Sequence, residues 1–225
     1  KKIGFDNVII LDNNFGDEEH FEDVLQDYVD DGFVIVENYR DKTRIQMKAY
    51  TEMYTKYKDT YDWIAFYDFD EFLFMNGMDA KEWLKGFPED CEEVLTNWMC
   101  MTDNNLVTYD DRPLVERFKE AMQFDRPIQY QFPDNCHVKR IIKGGLNVVF
   151  GGNPHTPDTP LKAYNASRVR CQNSPFQPID WSTAHLRHFT TKTIEEWMTR
   201  KMVVGTPDRD PSSFLTSRSF HLNCL

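Results

Sequence analysis

The sequence contains no long hydrophobic run, few glycines and prolines, and no excess of basic residues. No stretch of about 18 apolar residues occurs, so no membrane-spanning segment is predicted. Ten glycines and eleven prolines in 225 residues exclude collagen-like and low-complexity proteins. The 26 basic and 37 acidic residues give a net charge of −11. This charge argues against nucleic acid as a general partner, because phosphate backbones bind basic surfaces.

Cysteine is also scarce. The five cysteines are scattered, odd in number and without a C-x-x-C pair, which argues against a disulfide framework and a zinc cluster. Residues 1–6 lack the apolar core of a signal peptide. These absences predict reduced thiols and a cytoplasmic protein, with peripheral contact at the inner face of a membrane as an open alternative.

Aromatic and other apolar residues are present in the amounts that a folded core needs. Hydrophobic residues make up 40% of the chain and aromatic residues 14%, which excludes intrinsic disorder. No internal repeat or linker divides the chain, so residues 1–225 are predicted to form one domain.

The first 75 residues alternate apolar runs with amphipathic segments. Strands are predicted at 8–11, 33–36 and 63–67, and helices at 20–30 and at 41–57, where Asp41 is the expected cap. Strands that are apolar throughout indicate a mostly parallel sheet with helices on both faces. Beyond residue 75, strands are predicted at 93–98, 138–142 and 148–150, helices at 113–122 and 194–202, and mostly loop at 151–180.

The most informative motif is Asp68-Phe69-Asp70, which follows the apolar run at 63–67. In extended backbone, residues i and i+2 point to the same side, so the two carboxylates are expected to converge. Two such oxygen ligands suit Mg²⁺ or Mn²⁺ bridging substrate phosphates. An acidic chain also produces D-x-D by chance, but its place after an apolar strand favours a functional site.

This motif and several others resemble glycosyltransferases of the GT-A fold, in a bacterial family-2-like group. A eukaryotic family once catalogued as a domain of unknown function shares the W-x-x-x-x-D-x-D-E-F signature seen at 63–72. The other similar segments are the D-N-N turn at 12–14, R-x-Q-x-x-A-Y at 44–50, Trp98, E-R-F at 116–118, Lys139, His155 and H-F-x-T-K-T-x-E-E at 188–196.

The resemblance implies an α/β nucleotide-diphospho-sugar transferase fold, with a mostly parallel sheet flanked by helices. Residues 1–75 would form the nucleotide-sugar half and residues 76–225 the acceptor half. In this alignment residues 1–5 correspond to the end of the family's first helix. The first strand of the fold is therefore expected to be missing from this chain, as in a domain truncated at its N-terminus.

The resemblance also implies a hexosyltransferase-like enzyme that moves a sugar from a nucleotide-sugar donor to a hydroxyl of a glycan or lipid-linked glycan. The expected setting is surface or capsular polysaccharide synthesis, by an inverting mechanism with Mn²⁺ or Mg²⁺ as cofactor. The implied metal ligands are Asp68, Asp70 and His188, with His155 as the substitute for His188. The implied donor-binding residues are Asp12, Asn14, Arg44, Gln46, Asp68 and Lys192.

Inverting transfer also needs a general base near the acceptor hydroxyl. Asp103 and Glu116 are the two candidates, although Asp103 with Asn104 and Asn105 also fits a plain turn, and Glu116 could simply pair with Arg112 or Arg117. Glu71 is expected to point away from the two aspartates and to have a supporting role.

Two other functions fit parts of the sequence. A catalytically inactive sugar- or nucleotide-binding module would share the motifs and lack turnover. A phosphohydrolase with an aspartate nucleophile also places D-x-D after an apolar strand. In that class the motif ends the first strand and continues D-x-D-x-T/V, whereas here Glu71-Phe72 follows and two apolar runs precede it.

Overall fold

The structure, a computed structural model, describes residues 1–122 and 133–201. Its strands are β1 (Val8–Asp12), β2 (Val34–Asn38), β3 (Trp63–Ala65), β4 (Glu71–Met75), β5 (Glu93–Cys100), β6 (Val138–Lys143), β7 (Ala163–Asn165), β8 (Arg170–Cys171) and β9 (Ala184–His188). Its helices are α1 (Phe21–Val24), α2 (Gln26–Asp30), α3 (Gln46–Tyr57), α4 (Ala80–Lys85), α5 (Leu114–Arg117) and α6 (Ile194–Glu196), with a 3₁₀ turn at Pro133–Cys136 and a π-helical turn at Trp197–Lys201.

The described strands form two sheets. Strands β1 and β2 make a parallel pair, and the other seven form one sheet in which β5 lies at the centre. The first half of β5 pairs with β6 and β7, and its last residues pair with β9. The core surrounds this strand: Val94 and Leu95 are buried in two hydrophobic clusters.

The large sheet is mixed, so the prediction of a mostly parallel sheet was wrong. Only β5–β7 and β5–β9 are parallel within it, whereas β3–β6, β5–β6, β4–β9 and β7–β8 are antiparallel. An apolar run indicates that both faces of a strand are buried. Coverage does not depend on the direction of the neighbouring strand, so the runs carried no information about direction.

An open slot separates the two sheets. No described strand joins β1 to β3, and the slot of about 1380 Å³ between them is lined by both strands and by the helices α3 and α4. The prediction that the first strand of the fold is missing from this chain concerns this slot, and it stays a prediction.

Several local predictions changed in the folded chain. The helix predicted at 20–30 is broken at Leu25 into α1 and α2. Helix α3 begins at Gln46 without a side-chain cap, because Asp41 has a positive φ of 61° and accepts a hydrogen bond from the Gly16 amide. The helix predicted at 113–122 is the single turn α5.

The C-terminal half shows a similar mixture. No strand forms at 148–150, where the Phe150 amide donates to the Thr51 hydroxyl. The capping box at Thr193 and Glu196 forms as predicted, and the helix it opens continues as the π-helical turn; residue 202 lies outside the described residues. Cys91, Cys136 and Cys171 are free thiols.

Candidate active site

The D-x-D motif forms the turn between β3 and β4. The Asp68 amide donates to Glu71 Oε2 at 2.9 Å, and the Glu71 amide donates to the Asp68 carbonyl at 3.0 Å. Strand β3 ends at Ala65, so Asp68 and Asp70 do not share an extended strand as predicted. The turn instead directs their carboxylates to different partners.

Asp68 faces a buried lysine. Lys139 Nζ lies 2.8 Å from Asp68 Oδ2 and 3.4 Å from Glu71 Oε2, and the lysine side chain is 1% exposed. Gln46 Nε2 and the Tyr50 hydroxyl approach Asp68 Oδ1 at 3.4 and 3.3 Å. We call Asp68, Glu71 and Lys139 the inner wall of the site.

Burial and charge compete in the inner wall. Burial alone would raise the pKa of Asp68, but the charge and hydrogen bond of Lys139 outweigh it and hold this pKa below its usual value. Burial raises the pKa of the Glu71 carboxyl to about 8 against the opposing charge of Lys139. Glu71 shares Lys139 with Asp68 and accepts from the Asp68 amide, so the prediction that it points away from the aspartates was wrong, while its supporting role stays a prediction.

Asp70 faces the end of β9. His188 Nε2 lies 3.7 Å from Asp70 Oδ1, and Lys192 Nζ lies 3.7 Å from Asp70 Oδ2. The backbone sets this proximity, since His188 is opposite Glu71 in the β4–β9 pair and the Phe189 amide donates to the Asp70 carbonyl at 2.9 Å. We call Asp70, His188 and Lys192 the outer rim.

Trp98 packs against three histidines beside the rim. Its ring centroid lies 4.1 Å from that of His188, 4.8 Å from that of His137 and 5.1 Å from that of His155. Trp98 and His188 are near each other because the C-terminal ends of β5 and β9 pair in parallel.

The outer rim fits a divalent ion in its donor types and spacing. Metal–ligand bonds of about 2.0–2.2 Å place two ligands of one ion roughly 3–4 Å apart, and the oxygen and nitrogen of Asp70 and His188 meet this at 3.7 Å. The three predicted ligands do not form one compact cluster. Within residues 1–122 and 133–201, the group of three with all ligand atoms inside 4.8 Å is Asp12, His20 and Glu22. There the Arg40 guanidinium already neutralises Asp12.

The predicted donor-binding residues divide into two groups. Gln46 and Asp68 lie together, with Lys192 on the rim. Asp12 is buried and accepts from Arg40 at 2.9 Å and from the Asn14 amide at 3.0 Å, while Asn14 Nδ2 donates to the Glu19 carbonyl. Asp12 and Asn14 therefore hold their own loop together. Arg44 is exposed, with a positive φ of 53°.

The two candidate bases have different surroundings. Asp103 is 6% exposed and accepts from the Asn105 amide at 2.9 Å, in the turn that the sequence also allowed. It follows Met101, whose amide donates to the His188 carbonyl at 2.9 Å, so Asp103 lies just past the C-terminal end of β5 and near the end of β9. Glu116 is exposed on α5, and its neighbour Arg117 pairs with Glu196.

Sequence reasoning missed two participants, Lys139 as a site residue and Arg40. Both are charged residues that end up buried beside a carboxylate. For Lys139 a signal existed, because a lysine within the predicted strand 138–142 must find a partner when that strand is buried. Arg40 lies in a loop, so the argument from a buried strand does not apply to it.

Residues 1–143 match the family model described as Glycosyltransferase family 92, which covers β1 to β6 and the whole inner wall. No curated protein matches this chain. In the described part of the chain, no helix is long and apolar enough to cross a membrane. The match extends over well over half of the sequence and supports sugar transfer in general, while the narrower family-2-like grouping stays a prediction. The chain belongs to glycosyltransferase family 92.

Proposed function

We propose that the chain transfers a hexose from a nucleotide-sugar to a hydroxyl of a glycan or lipid-linked glycan, with inversion and with Mn²⁺ or Mg²⁺ bound. The proposed setting is surface or capsular polysaccharide synthesis at the cytoplasmic face of a membrane. The observation that carries the metal-dependent part is the 3.7 Å approach of Asp70 Oδ1 and His188 Nε2 at the exit of the sheet.

Asp70 and His188 are the residues that would hold the ion. When bound there, it would neutralise the negative charge that develops on the leaving diphosphate. Lys192 adds a positive charge at the same rim, 3.7 Å from Asp70 Oδ2. Lys139 fixes the Asp68 carboxylate, which with Gln46 faces the slot and can orient the donor. Asp103 and Glu116 both stay proposals for the base that takes the acceptor proton.

A hydrolysis assay tests this function without knowledge of the acceptor. UDP- and GDP-hexoses are incubated with the protein and Mn²⁺, and release of the free sugar is measured with and without EDTA. We expect metal-dependent release, and a decrease of about 10²–10³-fold in Asp70→Asn. Asp110→Asn, at a half-buried carboxylate that pairs with Arg112 outside the site, is the matched control and should keep full activity.

Two results of that assay would contradict the proposal. Binding of a nucleotide-sugar without turnover in any condition would identify an inactive binding module. Turnover that survives EDTA unchanged would show that the metal is not needed.

We also propose that a further strand completes the GT-A sheet in the slot between β1 and β3. Each of these strands pairs on one side only among the described strands, and helices α3 and α4 cover the slot between them. Unpaired strand edges of this kind favour pairing with another strand. An apolar strand fused ahead of Lys1 should slow hydrogen exchange at β1 and β3 amides, and unchanged exchange would contradict the proposal.

A further inference from the structure

The ring of His155 is held in one tautomer by the backbone. Its Nδ1 lies 3.1 Å from the Val138 carbonyl oxygen. A carbonyl oxygen can only accept, so Nδ1 carries a proton, and in the neutral ring Nε2 then keeps its lone pair. Nε2 has no hydrogen-bond partner among the residues that the structure describes, and the ring is half-buried rather than enclosed.

The backbone of His155 is fixed as firmly as its ring. Its amide donates to Asn153 Oδ1 at 2.7 Å, and its carbonyl accepts from the Arg140 guanidinium. Arg140 is fully buried, pairs with Glu93, and donates to the Thr156 hydroxyl at 3.0 Å. These contacts fix both the backbone and the ring of His155.

The same strand positions His155 and the inner wall. Residues 138 and 140 of β6 bind His155, and Lys139 between them points its ammonium group at Asp68. Trp98 links His155 to the outer rim, since its ring contacts both His155 and His188. His155 therefore lies near the inner wall, and the charges of Lys139 and Asp68 both act on its ring.

The imidazole of His155 stays neutral at ordinary pH. Burial, followed by the charge of Lys139, lowers the pKa of His155 to about 4. A neutral ring with an open lone pair does not attract an anion such as a diphosphate. It suits a group that donates a hydrogen bond, and hydroxyls are the donors that a sugar offers.

We infer that Nε2 of His155 accepts a hydrogen bond from a sugar hydroxyl in the active site and so fixes the orientation of that sugar. This inference rests on the proposed sugar transfer and adds a residue that would recognise the sugar. The hydroxyl can belong to the donor hexose or to the acceptor, and the two sources give different kinetics.

Two substitutions separate the role of Nε2 from that of Nδ1. His155→Asn keeps an N–H group near Nδ1 that can donate to the Val138 carbonyl and removes the acceptor at Nε2. His155→Gln places an amide oxygen near the position of Nε2. We expect His155→Asn to raise one KM by roughly 3- to 10-fold, as for one neutral hydrogen bond, and His155→Gln to restore part of it.

The measurements are donor hydrolysis and transfer, with a UDP- or GDP-hexose and Mn²⁺. A raised donor KM in both reactions would identify the donor hydroxyl, and a raised acceptor KM in transfer alone would identify the acceptor hydroxyl. Unchanged KM values in His155→Asn, with wild-type thermal stability, would overturn the inference, as would equal losses in both variants that follow a lower Tm.

The proposed function is tested separately from this inference. If wild-type protein neither binds nor turns over any nucleotide-sugar, sugar transfer is contradicted and the inference falls with it. If wild-type protein is active and the two variants behave alike, only the inference is overturned.

Discussion

The inner wall and the outer rim carry carboxylates only two residues apart, yet the protein holds them very differently. In the wall, Asp68 is contacted at 2.8–3.4 Å by a lysine, a tyrosine and a glutamine. In the rim, His188 Nε2 and Lys192 Nζ each stay 3.7 Å from an Asp70 carboxylate oxygen, beyond hydrogen-bond distance. Asp68 is thus held by closer contacts than Asp70.

The difference follows from where each set lies in the fold. Lys139 enters the wall from β6, the buried strand between β3 and β5. His188 and Lys192 come from the last residue of β9 and the loop after it, where the sheet ends. The side chains of Lys139 and Glu71 are only 1% and 0% exposed, and buried groups of this kind must be paired when the protein folds. Asp70 and Lys192, at 21% and 20% exposed, keep some contact with water and are paired less closely.

Removing the lysine of the inner wall should have the largest effect on stability. Lys139→Met leaves Asp68 and Glu71 without their cation, which should cost about 3 kcal/mol of unfolding free energy, the lower end for a buried pair because Asp68 is 41% exposed. Urea unfolding followed by circular dichroism measures it. Lys143→Met on the same strand is the matched control, since Lys143 only donates to the Glu89 carbonyl, and it should change stability by less than about 0.5 kcal/mol. Equal effects of the two variants would contradict the account of the wall.

Strand β9, which ends at the rim residue His188, should make the stability of the protein sensitive to acid through His185. Burial, followed by the charge of Arg187, lowers the pKa of His185 to about 4, and its ring packs against Phe74 and Trp181. The unfolded chain, with a pKa of about 6.5, then binds more protons than the folded chain between these values. Stability is therefore complete above about pH 6.5 and is lost as the pH falls towards about 4, by on the order of 2 kcal/mol.

His185→Phe isolates this contribution from other histidines. The difference in unfolding free energy between wild type and His185→Phe, measured from pH 7.5 to 4.5, should shrink or reverse in acid. A difference that is constant across this range would show that His185 does not titrate as expected.

The smallest effect is expected at the helix that follows the rim. Thr193 accepts from the Glu196 amide at 3.1 Å and closes the capping box directly after Lys192. Thr193→Ala should cost about 1 kcal/mol and reduce transfer with little change in the wall. Thr199→Ala, an exposed hydroxyl bonded to the Glu195 carbonyl, serves as the control in hydrogen-exchange measurements. Equal exchange rates at α6 in both variants would contradict the role of the cap.

The sequence allowed the strands to be predicted better than their arrangement. The strands predicted at 8–11, 33–36 and 138–142 correspond to β1, β2 and β6, with ends that differ by one or two residues. Their directions could not be read from composition, since a strand covered on both faces is apolar whichever way its neighbours run. The break of the first predicted helix at Leu25 likewise has no signal in the periodic pattern.

The candidate site was predictable in its residues and not in its geometry. The D-x-D motif and His188 were predicted, and they lie near each other. Their relation depends on the β4–β9 register, a contact over more than a hundred residues that no local pattern specifies. The pairing of Lys139 with Asp68 likewise joins residues 71 positions apart.

The central claim is that the rim, and not the wall, binds the metal ion, and a titration with Mn²⁺ followed by electron paramagnetic resonance tests it most directly. Asp70→Asn and His188→Ala should each weaken Mn²⁺ binding by at least about 10-fold. Asp68→Asn, whose carboxylate is held by Lys139, should change it by less than about 3-fold. Wild-type Mn²⁺ affinity in Asp70→Asn, or a larger loss in Asp68→Asn than in Asp70→Asn, would contradict this claim.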